Sequence, residues 1–191
     1  MLVVLDPADA ERRLGAGELG CAACGGRLRP WGHARPRQVR GPGGRRWWLR
    51  PRRARCAGCG RTQVLLPAGV LPRRADSSES VGIALLAAAT GRGHRPIAQT
   101  LGVPADTARG WLRRARQQAP WLRALATRLA YQTDPELGAI PPRRSVLADA
   151  VEALGQAAAA LTRRLGPLAA SPWQLIAAFT GGRLLAPHPG G

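Results

Sequence analysis

Lysine is absent from this chain of 191 residues, so all 29 basic residues are arginine, a bias that G+C-rich coding alone can produce. Acid is scarce: 11 Asp and Glu leave a net charge of +18. That imbalance implies a polyanionic partner, with nucleic acid the default. No apolar run approaches the roughly 18 residues of a membrane span, and Gly and Arg break the alanine-rich stretches. No membrane partner is therefore expected, and the reading is of a soluble, cytoplasmic, nucleoid-associated protein. The apolar opening Met1–Leu5 stops at Asp6 with no basic start, too short for a secretory signal. A P-loop, a Gly-x-Ser-x-Gly elbow and a His-Glu-x-x-His helix are all missing, and His33, His94 and His188 are too scattered to act as a pair. We expect no enzyme.

Cysteine is sparse too, and its placement is informative. All 4 cysteines fall in two Cys-x-x-Cys pairs, Cys21/Cys24 and Cys56/Cys59, each followed by glycine. Glycine after the second cysteine relieves crowding where backbone N–H groups turn toward the sulfurs. Two such knuckles supply four soft ligands, a closed tetrahedral shell for one structural Zn²⁺ with no position open to substrate. A single iron is chemically allowed in the same cage, and a disulfide framework or free thiols are the plainer alternatives. His33 is left out because four sulfurs complete the shell.

Between Glu18 and Asp76 there is no acidic residue, yet the window holds Arg27, Arg29, Arg35, Arg37, Arg40, Arg45, Arg46, Arg50, Arg52, Arg53, Arg55 and Arg61. Trp31, Trp47 and Trp48 are interleaved. The bland reading is a solvated basic face with tryptophans packing a small ribbon. The sharper one is a polyanion-binding face, since a dense single-sign run repels itself.

The expected fold is mainly α with a small β zinc ribbon: the ribbon first, a central tri-helical helix-turn-helix, then C-terminal helices. Residues 1–20 read as a leader or short helix. Residues 21–66 read as the ribbon, with strands at 27–31, 38–39, 46–51 and 63–66 and a turn at Gly41-Pro42-Gly43-Gly44. Residues 67–72 read as a linker. Asp76-Ser77-Ser78-Glu79 resembles a capping box and opens a first helix. A second, short helix runs from His94 to Leu101 with Pro96 in its first turn. A third runs from Pro104 through Arg116. An extra helix follows at 119–132, a linker at 133–144, a helical segment at 145–180 and a disordered tail at 181–191. Leu147, Val151, Leu154, Ala158, Leu161 and Leu165 recur at heptad spacing. They allow either a homodimer through residues 147–165 or packing against neighbouring helices.

The second and third helices carry a helix-turn-helix pattern over residues 76–118. Ala98 is small where two helices would touch, Gly102 suits the turn, and Ile97, Leu101, Val103, Ala108, Trp111 and Leu112 lock the pair. A plain structural helical hairpin is the alternative. If the pattern is real, Ala105, Asp106, Arg109 and Arg113 face the major groove, with Thr107 on phosphate or a thymine methyl. Arg109 and Arg113 lie four apart on one face, and either suits guanine O6/N7. Arg92, His94 and Arg95 sit where a helix start favours phosphate. Arg45, Arg46, Arg50, Arg52 and Arg53 are the ribbon's candidates for double-stranded DNA.

Cys-x-x-Cys-Gly-Gly at 21–26, Cys-x-Gly-Cys-Gly-Arg-Thr at 56–62, Val-Leu-Leu-Pro at 64–67 and Ile-Ala-x-x-Leu-Gly-Val-Pro-x-x-Thr-x-Arg-x-Trp-Leu-Arg-Arg at 97–114 together resemble the DNA-binding front end of insertion-sequence transposases. They are also similar to small actinobacterial proteins of that arrangement. The resemblance covers residues 21–118 and implies recognition of element ends. One departure is Gln63, where relatives often carry His, so no ligand or phosphate role is carried over to it. A strand-transfer engine needs three carboxylates on an RNase H-like sheet. After Asp106 the only acids are Asp134, Glu136, Asp149 and Glu152, with no β-rich core between them. The implied function is therefore non-catalytic, sequence-specific DNA binding, either beside a separate transposase or integrase enzyme or in transcription regulation. The alternatives are a protein-interaction adaptor with a nucleic-acid-binding surface, and a truncated mobile-element remnant.

Overall fold

In a computed structural model, residues 1–166 and 169–186 are described. Residues 1–20 hold the short helix that the sequence allowed, and with the strand before it they complete the ribbon. Strand β1 (Leu2–Val4) pairs in parallel with a strand more than sixty residues later. Helix α1 (Pro7–Ala16) follows at once. The Asp6 carboxylate caps it, accepting the N–H groups of Ala8 and Asp9 at 2.8 and 3.1 Å, and Pro7 needs no partner in the first turn. Gly17, at φ +70°, ends it. Ala10 and Leu14 of α1 bury against Leu28, Ala54 and Leu65.

The ribbon has six strands rather than four. After β1 come β2 (Leu28–His33), β3 (Arg37–Arg40), β4 (Arg46–Leu49), β5 (Arg52–Cys56) and β6 (Thr62–Pro67). One sheet runs β1-β6-β5-β2, antiparallel except for β1 with β6. Strands β3 and β4 form a separate antiparallel hairpin, joined by a 3-10 turn at Pro42–Gly44. The expected linker at 67–72 is packed instead: Ala68, Val70 and Leu71 are buried, Val70 with Val39 and Leu66 beneath the hairpin.

Helix α2 (Ser78–Ala89) is capped one residue later than the sequence suggests, because Ser77 accepts the Ser80 N–H at 3.0 Å while the Asp76 carboxylate is drawn to Arg40. Helix α3 (His94–Leu101) closes on Gly102 at φ +63°. Helix α4 (Ala105–Thr133) is one helix of 29 residues, so the expected break before a separate helix at 119–132 is absent. Pro120 lies inside it, exposed to solvent. An interior proline costs about 3 kcal/mol. Yet the buried stripe Ala108, Trp111, Leu112, Ala115, Ala119, Leu122, Ala126 and Ala130 runs past it without interruption. Burial of that stripe, about 1.5–3 kcal/mol for a large apolar side chain such as Leu122, carries the helix through.

Helix α5 (Val146–Leu165) packs along α4, alanine against alanine, and α6 (Pro172–Phe179) caps the bundle with a full Ser171/Gln174 capping box. The heptad positions Leu147, Val151, Leu154 and Ala158 are buried inside this core, Leu161 is half-buried and Leu165 exposed. Four of the six positions thus pack within the chain against neighbouring helices, the second of the two readings allowed by the spacing. The expected tail begins with structure: Leu184 and Leu185 of a 3-10 turn are buried. The rest of that segment, 187–191, lies outside the described residues. Among those described, no helix is long and apolar enough to cross a membrane.

Candidate metal centre and basic surface

The two cysteine pairs are built alike. In the first, Gly25 N–H donates to the Cys21 carbonyl at 2.8 Å, and Ala23 N–H points at Cys21 Sγ at 3.4 Å. In the second, Gly60 N–H donates to the Cys56 carbonyl at 3.1 Å, and Cys59 N–H points at Cys56 Sγ at 3.4 Å. Gly25 and Gly60 hold φ of +71° and +70°, a turn that L side chains rarely adopt. Gly26 matters for space: a Cβ there would lie 3.1 Å from Cys56 Sγ and 3.3 Å from Cys24 Sγ.

The knuckles bring the four sulfurs within 4.8 Å of one another. Cys21 and Cys59 stand 3.7 Å apart, and Cys24 and Cys56 3.5 Å. No pair is a disulfide. A tetrahedron with Zn–S bonds of about 2.3 Å has edges of about 3.8 Å, so the spacing fits one tetrahedral ion. The electrostatics agree. Cys21 is brought down to about 6, chiefly by the Ala23 N–H and against the opposing effect of burial. Cys56 is lowered as well, chiefly by the Cys59 N–H. Cys24 goes the other way. The Gly26 N–H favours its thiolate, but the sulfurs of Cys59, Cys56 and Cys21 together with burial outweigh it and push it up to about 11. Four thiolates cannot share this space without a cation to offset them.

Sequence reasoning did not assign a role to Gln63. Its buried side-chain N–H donates to Cys21 Sγ at 2.9 Å, and its carbonyl accepts from the Met1 ammonium at 3.4 Å. It supports a sulfur rather than ligating metal, the outer-layer contact that orients metal ligands. The signal for it was the strand period, which places Gln63 and Leu65 on the face toward Ala54 and Cys56.

The ribbon tryptophans do not pack its interior. Trp48 is 70% exposed and Trp31 49%, and the Arg55 guanidinium lies 4.8 Å from the Trp31 ring centroid. Arg45, Arg46 and Arg50 are exposed, and no carboxylate lies within ion-pair distance of them among the described residues. Arg53 is half-buried. Arg52 is drawn inward: its Nε lies 2.9 Å from Glu11 and its Nη1 donates to the Gly32 carbonyl. It ties β5 to α1 and β2, which leaves it a poor phosphate contact.

In the helical half, Ile97, Ala98, Leu101, Ala108, Trp111 and Leu112 are buried, with Val103 packed against them. Ala105, Asp106, Arg109 and Arg113 are exposed, and Thr107 is half-buried. Arg109 is 3.0 Å from Asp106, an ion pair in open solvent. Arg92 and Arg95 are exposed and His94 half-buried around the start of α3.

Residues 21–98 match a domain of unknown function, DUF6431. The match takes in both cysteine pairs, all of α2 and the first half of α3. No curated protein and no solved structure matches the chain.

Proposed function

We propose that this chain is a non-catalytic, sequence-specific binder of double-stranded DNA, with a structural zinc in its ribbon. Helices α3 and α4, joined at Gly102, are read as a helix-turn-helix whose reading positions are Ala105, Asp106, Arg109 and Arg113. The observation that carries this is the sorting of one short segment. Six of the seven locking residues are buried and the seventh, Val103, packs against them half-buried, while the reading positions are exposed. The ribbon arginines Arg45, Arg46 and Arg50, without an ion-pair partner among the described residues, supply sequence-independent phosphate contacts. The zinc, held by Cys21, Cys24, Cys56 and Cys59, supplies folding energy to a ribbon with a small core. The resemblance to transposase front ends favours a role at mobile-element ends beside a separate enzyme, and regulation at promoters is the other role the reading allows.

Arg109→Ala and Arg46→Ala test this reading on a panel of duplexes. Loss of Arg109 relaxes preference at one base position, worth about 1–3 kcal/mol of discrimination. Loss of Arg46 weakens every duplex alike and makes the salt dependence shallower by about one unit of slope. An Arg109 variant with unchanged preference would remove α4 as the reading helix.

A further inference from the structure

Where the chain passes from ribbon to helices, arginines gather without acid. A crevice of about 410 Å³ is lined by Arg73, Arg74, Arg113, Arg114, Gln117 and Gln118, and no carboxylate lines it. A neighbouring crevice of about 370 Å³ shares Arg73, Arg74 and Arg114 and reaches toward the hairpin at Arg40. The two carboxylates there, Asp76 and Asp106, are already paired with Arg40 and Arg109. Among the described residues, none of Arg73, Arg74, Arg113 and Arg114 has a carboxylate within ion-pair distance.

This gathering is costly. Burial, and after it the charge of Arg114, push the Arg74 guanidinium below its ordinary range, with Asp76 opposing. Arg73 holds φ +56°, the one positive φ at a non-glycine position among the described residues. That conformation is strained for an L side chain. Unpaired like charges beside a strained turn persist where something relieves them, and an anion does so directly. Guanidinium forks match phosphate oxygens two at a time, and the glutamine amides add neutral donors.

We propose that Arg73, Arg74, Arg113 and Arg114 form a phosphate-binding crevice. On DNA its occupant is a backbone phosphate flanking the groove read by α4, an assignment that rests on the function proposed above. Arg113 is then shared between the crevice and the reading face, four residues beyond Arg109. The crevice makes ribbon and reading helix one continuous footprint, with the register of the helix fixed from its flank.

The test uses the full, zinc-loaded chain. It is titrated with inorganic pyrophosphate and, separately, with a short duplex of arbitrary sequence. The arginine Nε–Hε NMR signals report binding, assigned through the single variants Arg74→Gln and Arg114→Gln. The expected result is a shift of the Arg74 and Arg114 signals with both probes. The double variant should then lose about 1–2 units of salt-dependence slope on the duplex, near 0.9 per phosphate contact, while Arg164→Gln on the far end of α5 loses none. Pyrophosphate shifts without duplex binding by the parent chain would keep the crevice and assign it a small phosphorylated ligand, and the DNA reading would fall alone. Duplex binding with no shift at either arginine and an unchanged slope in the double variant would overturn the crevice and leave the DNA reading standing.

Discussion

Arg40 of the ribbon hairpin grips Asp76 at the start of α2 with both arms of its guanidinium, Nε to Oδ1 at 2.9 Å and Nη2 to Oδ2 at 3.3 Å. The backbone doubles the join: Arg40 N–H donates to the Ala75 carbonyl at 2.7 Å, and Ser77 N–H donates to the Arg40 carbonyl at 2.8 Å. One residue thus fastens the ribbon to the helical half. The Asp76 side chain is 5% exposed and that of Arg40 42%, so the two partners are not equivalent. Arg40→Ala strands a buried carboxylate and is expected to cost about 3–5 kcal/mol. Asp76→Ala leaves a guanidinium that water still reaches and is expected to cost about 1.5–3 kcal/mol. Urea denaturation of the two variants gives the order, and the reverse order would contradict this account of the joint.

Gly82 of α2 lies beneath Trp173 of α6. A Cβ at residue 82 would come within 2.0 Å of the indole Cδ2. Alanine favours a helix over glycine by about 1 kcal/mol, yet here the clash reverses the sign. Gly82→Ala is expected to destabilise by about 1–3 kcal/mol through overpacking, seen as a lower Tm. A raised Tm would mean that Trp173 moves aside freely.

Gln63 bears on the metal centre through Cys21 Sγ alone. Gln63→Ala is expected to weaken metal affinity by about 10- to 100-fold while the stoichiometry stays at one ion per chain. Competition with a chelator measures the first and metal analysis the second. Unchanged affinity would reduce Gln63 to packing.

Acid should release the metal in two stages. With Cys24 raised to about 11, its thiol carries a proton at neutral pH in the metal-free chain and gives it up on binding. The logarithm of the metal association constant therefore rises by at least one per pH unit near neutrality. Cys21, lowered to about 6, is already ionised there. Below about pH 6 it binds a proton as well, and the fall in affinity with acid steepens. Chelator competition across pH reads the slope, and a flat profile would contradict thiolate ligation.

The metal centre was legible because its chemistry is local. Cys-x-x-Cys-Gly dictates its own turn, and the register of β5 with β2 then brings two such turns together. A helix end set by a nearby glycine, at Gly102, was legible for the same reason. What escaped was set at a distance. Strand β1 exists only because β6 lies beside it, and β5 hides its period under Arg52, Arg53 and Arg55. Pro120 looked like the opening of a new helix because the stripe buried against α5 is a tertiary fact. Asp76 looked like a cap until Arg40, 36 residues earlier, claimed its carboxylate. Arg73 and Arg74 fell between the expected linker and the first helix, with no role assigned, and only the fold places them beside Arg113 and Arg114.

The central claim is that this surface reads DNA sequence rather than merely attracting DNA. Selection of genomic fragments by the purified, zinc-loaded chain near physiological salt, where nonspecific binding is weak, tests it most directly. The account predicts enrichment of one short motif, lost on Arg109→Ala, whose location at element ends or promoters identifies the biology. Fragments recovered without any shared motif would contradict it.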